Sequence, residues 1–265
     1  MSASHDEIIT RLELARAAAI EAGRITLEYF RREDVEVELK ADASPVTVAD
    51  REAEEHLRRR IAAEFPDDGI VGEEFPERDG RSGFRWIVDP IDGTKSFIRG
   101  VPLYGTLVGV EHRGRGVVGV VEMPALDERL YAAAGQGAWH QLGSEEPGAA
   151  RVSSSARLAD ALFCTTSVDG FHRIGRAEVF ERLRDAALLT RTWGDCYGYV
   201  LVITGRAEVM IDPQMNVWDA AAIQPIVEEA GGTFTDWQGK PTIHGGQGIA
   251  TNSRVLDEVL AITGG

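Results

Sequence analysis

The sequence of 265 residues is poor in cysteine, with only Cys164 and Cys196 and no CxxC pair. Such a chain has no disulfide framework and no cysteine-based zinc site. Long apolar runs are also missing, and the first residues lack a basic start followed by an apolar segment. We therefore expect a cytoplasmic protein with reduced thiols, no signal peptide and no membrane span.

Positive charge is scarce as well. The chain has 28 lysines and arginines against 43 aspartates and glutamates, which gives a formal net charge of -15. A surface this acidic repels nucleic-acid phosphates and anionic lipid, so neither is expected as a partner. A small phosphorylated ligand remains compatible with this charge, provided that divalent metal ions locally reverse its sign.

The first half of the chain contains helix signals and then strand signals. Hydrophobic residues make up 43% of the chain, enough for a substantial core. Helical spacing of apolar residues predicts a helix from about Asp6 to Arg31 and a second over Thr47–Phe65, with Thr47 as its N-cap. Short runs punctuated by glycines then predict a meander of mostly antiparallel strands at 70–71, 85–88, 106–111, 117–121 and 129–133.

The second half begins after a junction predicted at Gln141–Ala150 and has an alternating α/β pattern. We predict a single domain over residues 1–265, with approximate halves 1–145 and 146–265, and a layered α/β (α+β) architecture. Gly231–Gly232 is expected to end the longest helix of this half. The predicted order is strand 161–165, helices 176–187 and 197–204, strand 207–211, helix 217–230, strand 248–251 and helix 253–262.

The most informative segment is the run from Trp86 to Lys95, WIVDPIDGTK. A hydrophobic strand is expected to stop at Asp89, because Pro90 has no N–H to donate and turns the chain. Asp92 follows three residues after Asp89, so both carboxylates can converge on one side of the turn. The next glycine permits close backbone approach and opens a short helix, which favours anion binding. Hard oxygen ligands of this kind suit Mg²⁺ or Mn²⁺ rather than zinc.

Two further acidic stretches are candidates to complete a ligand set. Glu73 and Glu74 follow the strand predicted at 70–71, and Asp219 opens an apolar helix. Each also has an ordinary explanation, because acidic pairs are often solvated and a carboxylate stabilises the first turn of a helix. A surface turn explains an isolated Asp-Gly pair equally well. Taken singly, these stretches leave both interpretations open.

Taken together, four segments resemble the inositol monophosphatase family in their order and spacing: 72–74, 89–94, 218–219 and 229–232. The resemblance extends from the first predicted helix to the last. It implies an αβαβα sandwich of the inositol monophosphatase / fructose bisphosphatase type, usually assembled as a homodimer. It also implies a hydrolase of phosphate monoesters that uses two or three Mg²⁺ ions, with Mn²⁺ as an alternative.

The same resemblance implies roles for individual residues. Asp50 and Thr94 would form a supporting pair near the attacking water, and Glu73 and Thr94 would orient that water. Lys40 matches a lysine in a mobile loop of the family. The implied metal ligands are the carboxylates of Glu73, Asp89, Asp92 and Asp219 and the main-chain carbonyl of Ile91.

Within the family, the stretches 94–105, 192–199 and 207–213 resemble the histidinol-phosphatase subgroup. Histidinol phosphate carries a protonated amine and an imidazole, so Asp195 and Asp212 would pair with that cation. An N-cap for the following helix is the alternative role of Asp195. Asn216 could also reach the pocket. The substrate-binding set is Asp92, Gly93, Thr94, Asp195 and Asp212.

Three functions remain open at this level. The leading hypothesis is a histidinol-phosphatase of histidine biosynthesis, with a small phosphorylated substrate. The second is an inositol or broader sugar-phosphate phosphatase built on the same site. The third is a dimeric binding or regulatory module with vestigial catalysis, and the intact set of acidic ligands argues against it.

Overall fold

The computed structural model describes residues 3–32, 37–39 and 45–264, so Lys40, the predicted loop lysine, lies outside the described residues. The helices are α1 (His5–Tyr29), α2 (Val48–Glu64), α3 (Thr94–Phe97), α4 (Val168–Arg173), α5 (Ala177–Ala186), α6 (Asp195–Ile203), α7 (Val217–Ala221), α8 (Ile223–Glu229) and α9 (Leu256–Thr263). The strands are β1 (Val37–Leu39), β2 (Pro45–Thr47), β3 (Gly69–Gly72), β4 (Phe84–Asp92), β5 (Gly105–His112), β6 (Arg115–Met123), β7 (Glu128–Ala133), β8 (Ala138–Leu142), β9 (Gly148–Ala149), β10 (Leu162–Cys164), β11 (Leu189–Arg191), β12 (Val209–Asp212), β13 (Thr233–Thr235) and β14 (Gly248–Thr251).

The first two helices begin at capping boxes. The Ser4 hydroxyl accepts the N–H of Glu7, whose carboxylate accepts the N–H of Ser4. Thr47 and Asp50 make the same reciprocal pair at the start of α2. Each box satisfies backbone donors that have no partner inside the helix. The predicted capping role of Thr47 is therefore confirmed.

A sheet of seven strands in the order β3-β4-β5-β6-β7-β8-β9 contains the predicted meander. Strands β3 and β4 are parallel, and every other neighbouring pair is antiparallel. The junction predicted at Gln141–Ala150 is instead part of a hairpin at the sheet edge, because β9 pairs with Trp139 and His140 of β8. Sheet hydrogen bonds therefore continue through a segment whose polar and glycine-rich composition suggested a linker.

A second sheet has five strands in the order β11-β10-β12-β14-β13, with β10 parallel to both of its neighbours and the remaining pairs antiparallel. Helices α1 and α2 pack on the outer face of the larger sheet, around Leu57, Trp86 and Val108. Helices α6, α7 and α8 fill the space between the two sheets. Helices α4, α5 and α9 cover the far face of the smaller sheet. The layers therefore follow the predicted αβαβα order.

The helix predicted over 217–230 is interrupted in the structure. Helix α7 ends at Ala221 and α8 begins at Ile223. Pro225 explains the break, because its ring crowds the carbonyl four residues earlier, at Ala221, and it has no N–H to bond that carbonyl. The broken segment lies directly on the larger sheet at Gly119, where an added β-carbon would lie 2.1 Å from the Ala222 carbonyl oxygen. At its other end, the N-terminus of α7 lies at the end of β4, where Asp219 approaches Asp89 and Asp92.

Candidate active site

A cavity of about 510 Å³ opens where the end of β4 meets the starts of α3, α6 and α7. Lys95 is the only basic residue in its lining, within the part of the chain that the structure describes. The cavity thus gathers side chains that are up to 146 positions apart in the sequence, from Glu73 to Asp219. Its acidic lining residues are Glu73, Asp89, Asp92, Asp195 and Asp219.

Strand β4 carries two of these carboxylates. It continues through Pro90 to Asp92, so the prediction that it stops at Asp89 is wrong. The pairing with β5 shifts register between Asp89 and Asp92, and this bulge accommodates the missing N–H of Pro90. The Pro90 carbonyl accepts the Thr106 hydroxyl at 2.8 Å. The backbone of β4 is therefore held by hydrogen bonds to β5 on both sides of Pro90, and both aspartates project from this fixed segment.

Asp219 reaches the same point from the first turn of α7. Its Oδ2 accepts the N–H of Asn216 at 2.7 Å, and Asn216 caps the helix in return. Asn216 also lines the cavity, as its place before Trp218 suggested. The ordinary role of Asp219 at a helix N-terminus and its place in the acidic cluster are therefore both present.

Carboxylate oxygens of Asp89, Asp92 and Asp219 all lie within 4.8 Å of one another. Burial, followed by the charges of Glu73 and Asp92, raises the pKa of Asp89 well above its usual value. Burial is also the main cause that raises the pKa of Asp219 to about 7, and the neighbouring charge of Glu73 adds to it. Like charges held together away from water disfavour ionisation of each other.

This arrangement fits divalent metal ions. The donors are all oxygen atoms, they converge within bonding reach of a common point, and Lys95 alone supplies positive charge in the cavity lining of the described chain. Oxygen-only sets of this kind are typical of Mg²⁺, Mn²⁺ and Ca²⁺. A bound cation would offset the burial and repulsion that raise the pKa values of these aspartates.

The residues expected to assist the attacking water lie beside this cluster. The Thr94 hydroxyl donates to the carbonyl of Ile91 at 3.1 Å, and both residues line the cavity. Asp50 is buried and accepts the N–H and hydroxyl of Thr47 at 2.7 and 2.6 Å. Its charge contributes to the raised pKa of Asp89.

Asp195 begins α6 with a φ of 49°, a left-handed conformation that few residues other than glycine adopt. Gly194 holds the N-cap position, so Asp195 does not cap this helix with its side chain. Burial and the charge of Asp212 raise the pKa of Asp195 to about 6, against the opposing effects of Lys95 and Ser96. Backbone strain of this kind is concentrated at functional sites.

Asp212 ends β12 and lies in an adjoining cavity of about 80 Å³, which also contacts Asp92, Asp195 and Asp219. Its carboxylate accepts the Tyr199 hydroxyl at 3.0 Å and the N–H of Thr166 at 3.1 Å. Burial nevertheless raises its pKa.

Sequence reasoning did not assign a role to the side chains of Thr166, Tyr199 or Lys95, although each of them lines at least one of the two cavities. Lys95 and Tyr199 lie inside stretches that were singled out for other residues. Thr166 follows a short strand and has no sequence signal of its own, because only the sheet order places it beside Asp212 and Asp195.

The five-layer fold and the acidic cavity are those of a metal-dependent phosphatase. A family model described as "Inositol monophosphatase family" matches residues 9–263. The chain therefore belongs to the inositol monophosphatase family, in agreement with the resemblance of its acidic motifs.

Relatives of known name support this membership. The chain is 45% identical over 249 residues to a histidinol-phosphatase of Chlorobaculum parvum, covering 94% of each chain. It is 41% identical over 257 residues to a histidinol-phosphatase of Mycobacterium tuberculosis, covering 97% of each. A solved inositol monophosphatase from Zymomonas mobilis is 34% identical, with a TM-score of 0.83 over 100% of both chains. No helix in the described part of the chain is long and apolar enough to cross a membrane.

Proposed function

We propose that this protein is a magnesium-dependent histidinol-phosphatase, which hydrolyses histidinol phosphate to histidinol and phosphate. The observation that carries the proposal is that two further carboxylates, the half-buried Asp195 and the buried Asp212, lie beside the cluster of Asp89, Asp92 and Asp219. In a substrate with a phosphate at one end and a cation at the other, the phosphate would bind at the cluster of three aspartates and the cation beside Asp195 and Asp212. The names of the two relatives given above support the same substrate.

The metal ions would be held by the ligands that the sequence resemblance implied. Two or three bound Mg²⁺ ions would neutralise the phosphate oxygens, acidify the attacking water and stabilise the leaving oxygen. Mn²⁺ presents a similar preference for oxygen donors and could replace Mg²⁺. The proposed ligands are Glu73, Asp89, Asp92, Asp219 and the carbonyl of Ile91.

The chain's own residues would position the reactants. Gly93 and Thr94, at the start of α3, line the cavity next to Asp92 and would bind the phosphate. The Thr94 hydroxyl donates to the Ile91 carbonyl, so the lone pairs of its oxygen are free to accept a hydrogen bond from the attacking water. Glu73 would accept a hydrogen bond from the other O–H of that water, and Asp50 would support this region from α2. Correct alignment of water and phosphorus contributes much of the catalysis of phosphoryl transfer.

The cationic part of the substrate would bind towards α6 and β12. Asp195 lines both cavities, so it can contact an ammonium group beyond the phosphate position. Asp212 already accepts bonds from Tyr199 and Thr166, but its oxygens keep lone pairs for a further donor. Charge-assisted hydrogen bonds of this kind are stronger than those to the neutral hydroxyls of a polyol.

The proposal also covers the domain organisation, the oligomeric state and the cellular location of the protein. Residues 1–265 would act as one phosphatase domain, assembled as a homodimer in the cytoplasm and serving histidine biosynthesis. Size-exclusion chromatography with light scattering tests the dimer, because a monomer and a dimer of a 28.8 kDa chain differ twofold in mass.

A second candidate is an inositol or broader sugar-phosphate phosphatase, which the likeness to the Zymomonas mobilis structure supports. The same cluster of aspartates would serve it. The two candidates differ in what Asp195 and Asp212 contact, since a neutral polyol gains less than a cation from two extra carboxylates.

The deciding experiment measures phosphate release by the purified protein with Mg²⁺, on histidinol phosphate and on inositol monophosphate in parallel. We expect kcat/KM to be at least about 100-fold higher for histidinol phosphate, as two charge-assisted bonds of about 1.5 kcal/mol each would give. Equal or reversed values would move the function to the second candidate and leave the metal site in place. Absence of phosphate release from both would contradict the phosphatase itself.

A further inference from the structure

Glu54 is a fully buried carboxylate on α2 that the proposed mechanism does not use. It accepts the backbone N–H of Glu74 at 2.7 Å and that of Phe75 at 3.3 Å. These are the two residues that directly follow Glu73. A carboxylate inserted into a turn in this way fixes the backbone of the turn.

Arg58 completes the arrangement one helical turn further along α2. Its Nε donates to Glu54 at 2.7 Å, and its two terminal nitrogens donate to the carbonyls of Pro76 at 3.0 Å and Phe75 at 2.8 Å. Glu54 therefore accepts the N–H groups of the turn, and Arg58 donates to the carbonyl groups of the same turn. Both polar sides of the turn after β3 are attached to one helix.

Gly72, the residue before Glu73, shows how tightly the carboxylate is enclosed. A β-carbon at this position would lie 2.1 Å from Oε1 of Glu54, so a side chain there would displace the carboxylate. Position 72 therefore requires a glycine, because any side chain there would block the approach of the Glu54 carboxylate to the backbone.

We propose that the Glu54–Arg58 pair is a positioning device that holds the Glu73 carboxylate in place for metal binding. The inference rests on the proposed function, in which Glu73 is a metal ligand. Glu73 stands on a loop with no strand or helix of its own, whereas Asp89, Asp92 and Asp219 belong to β4 and α7. Groups that orient metal ligands typically change metal affinity 10–100-fold when they are removed.

The test is the Mg²⁺ concentration that gives half of the metal-induced rise in melting temperature, measured without substrate. Glu54→Gln should raise this concentration about 10–100-fold relative to the unmodified protein. Arg58→Gln should shift it in the same direction, and it serves as the second variant because it removes the other partner of the pair, whose side chain is 17% exposed.

Asp68→Asn is the matched control. Asp68 is as buried as Glu54, and it pairs with Arg11 at 2.8 Å, but it lies at the opposite end of β3 from Glu73. Its loss should lower the melting temperature and leave the Mg²⁺ midpoint unchanged. An unchanged midpoint in the Glu54 and Arg58 variants would overturn the inference. If Mg²⁺ does not stabilise the unmodified protein at all, the proposed function fails and the inference fails with it.

Discussion

Three carboxylates of the cavity accept hydrogen bonds from backbone groups as well as facing one another. Asp89 accepts the N–H of Ile91, and Asp92 accepts the N–H of Cys196. Asp219 accepts the N–H of Asn216. These bonds hold the side chains in place in the absence of a metal ion. Each position therefore has a structural role beside the ligand role that we propose, which explains why single motifs left the two interpretations open.

Replacing Asp92 separates these two roles. An Asn at this position keeps an oxygen that accepts the N–H of Cys196, so the fold should survive, while a charged metal ligand is lost. We expect kcat/KM to fall by more than about 100-fold with little change in the unfolding transition. Asp236→Asn is the control, because Asp236 is also buried and accepts backbone N–H groups, at Gln238 and Lys240. Near-normal turnover by the Asp92 variant would contradict the metal site.

Replacing Asp195 tests substrate recognition. Asn tolerates the left-handed backbone of this position, so Asp195→Asn removes mainly the negative charge. We expect kcat/KM for histidinol phosphate to fall about 10-fold more than for a phosphate ester without a cation, as the loss of one charge-assisted bond implies. Initial rates on the two substrates measure this difference. Equal losses of kcat/KM on the two substrates would mean that Asp195 shapes the start of α6 and does not bind the cation of the substrate.

At the scale of the elements, most helices and strands could be predicted, and the exceptions have local causes. The boundaries of β14 were predicted correctly, and those of α2 and α5 to within about one residue. Pro225 divides the helix predicted over 217–230, although a run of alanines favours it. Most of the strands that were not predicted are two or three residues long, and so short a run carries too little periodicity; they are β1, β2, β9, β11 and β13. Strand β8, with five residues, was also not predicted.

One network of side chains joins elements that are distant in the sequence. Glu128 of β7 pairs with His140 of β8 at 2.8 Å and with Arg206 after α6 at 2.7 Å. Burial alone would raise the pKa of Glu128, but the two partners outweigh it and the pKa is lowered. The folded state therefore binds this proton less tightly than the unfolded state. Its contribution to stability is present above the unfolded pKa and is lost as the pH falls.

Glu128→Gln should consequently lower the free energy of unfolding by about 2 kcal/mol near neutral pH, and the difference should shrink below about pH 4. Urea denaturation of both proteins at several pH values measures this. Glu64→Gln is the control, since Glu64 forms an exposed pair with Arg60 and its loss should cost less than about 0.5 kcal/mol. A difference that stays constant down to acid pH would refute the assigned role of Glu128.

At the scale of the whole molecule, the five layers bring one acidic pocket together inside an already acidic protein. The pKa values of Asp89, Asp92 and Asp219 are raised, with burial as the first cause in each case. The metal-free folded state therefore binds protons more tightly than the unfolded state. Its stability should fall as the pH rises from about 4 through about 7, the value to which the pKa of Asp219 is raised.

Added Mg²⁺ should reverse this loss by replacing the protons. We expect saturating Mg²⁺ to raise the melting temperature by about 5–10 °C near pH 8 and by much less near pH 5. EDTA should return the protein to the lower melting temperature and stop phosphate release, and Mg²⁺ should restore both. Thermal unfolding followed at several pH values measures the effect. The same Mg²⁺ shift at both pH values, or activity that resists EDTA, would contradict a site built on these aspartates.

The sequence by itself determined the class of fold, the Thr47 cap of α2, the start of α7 at Val217 and the acidic motifs of the site, because caps, periodicity and ligand chemistry are local properties. Tertiary structure alone decided how far β4 continues beyond Pro90, and that Asp195 begins α6 in a left-handed conformation. It also placed Thr166 beside Asp212 and Glu54 beneath the turn of Glu73. These features depend on contacts between residues 13 or more positions apart, and such contacts follow from the packing of sheets and helices rather than from any local pattern.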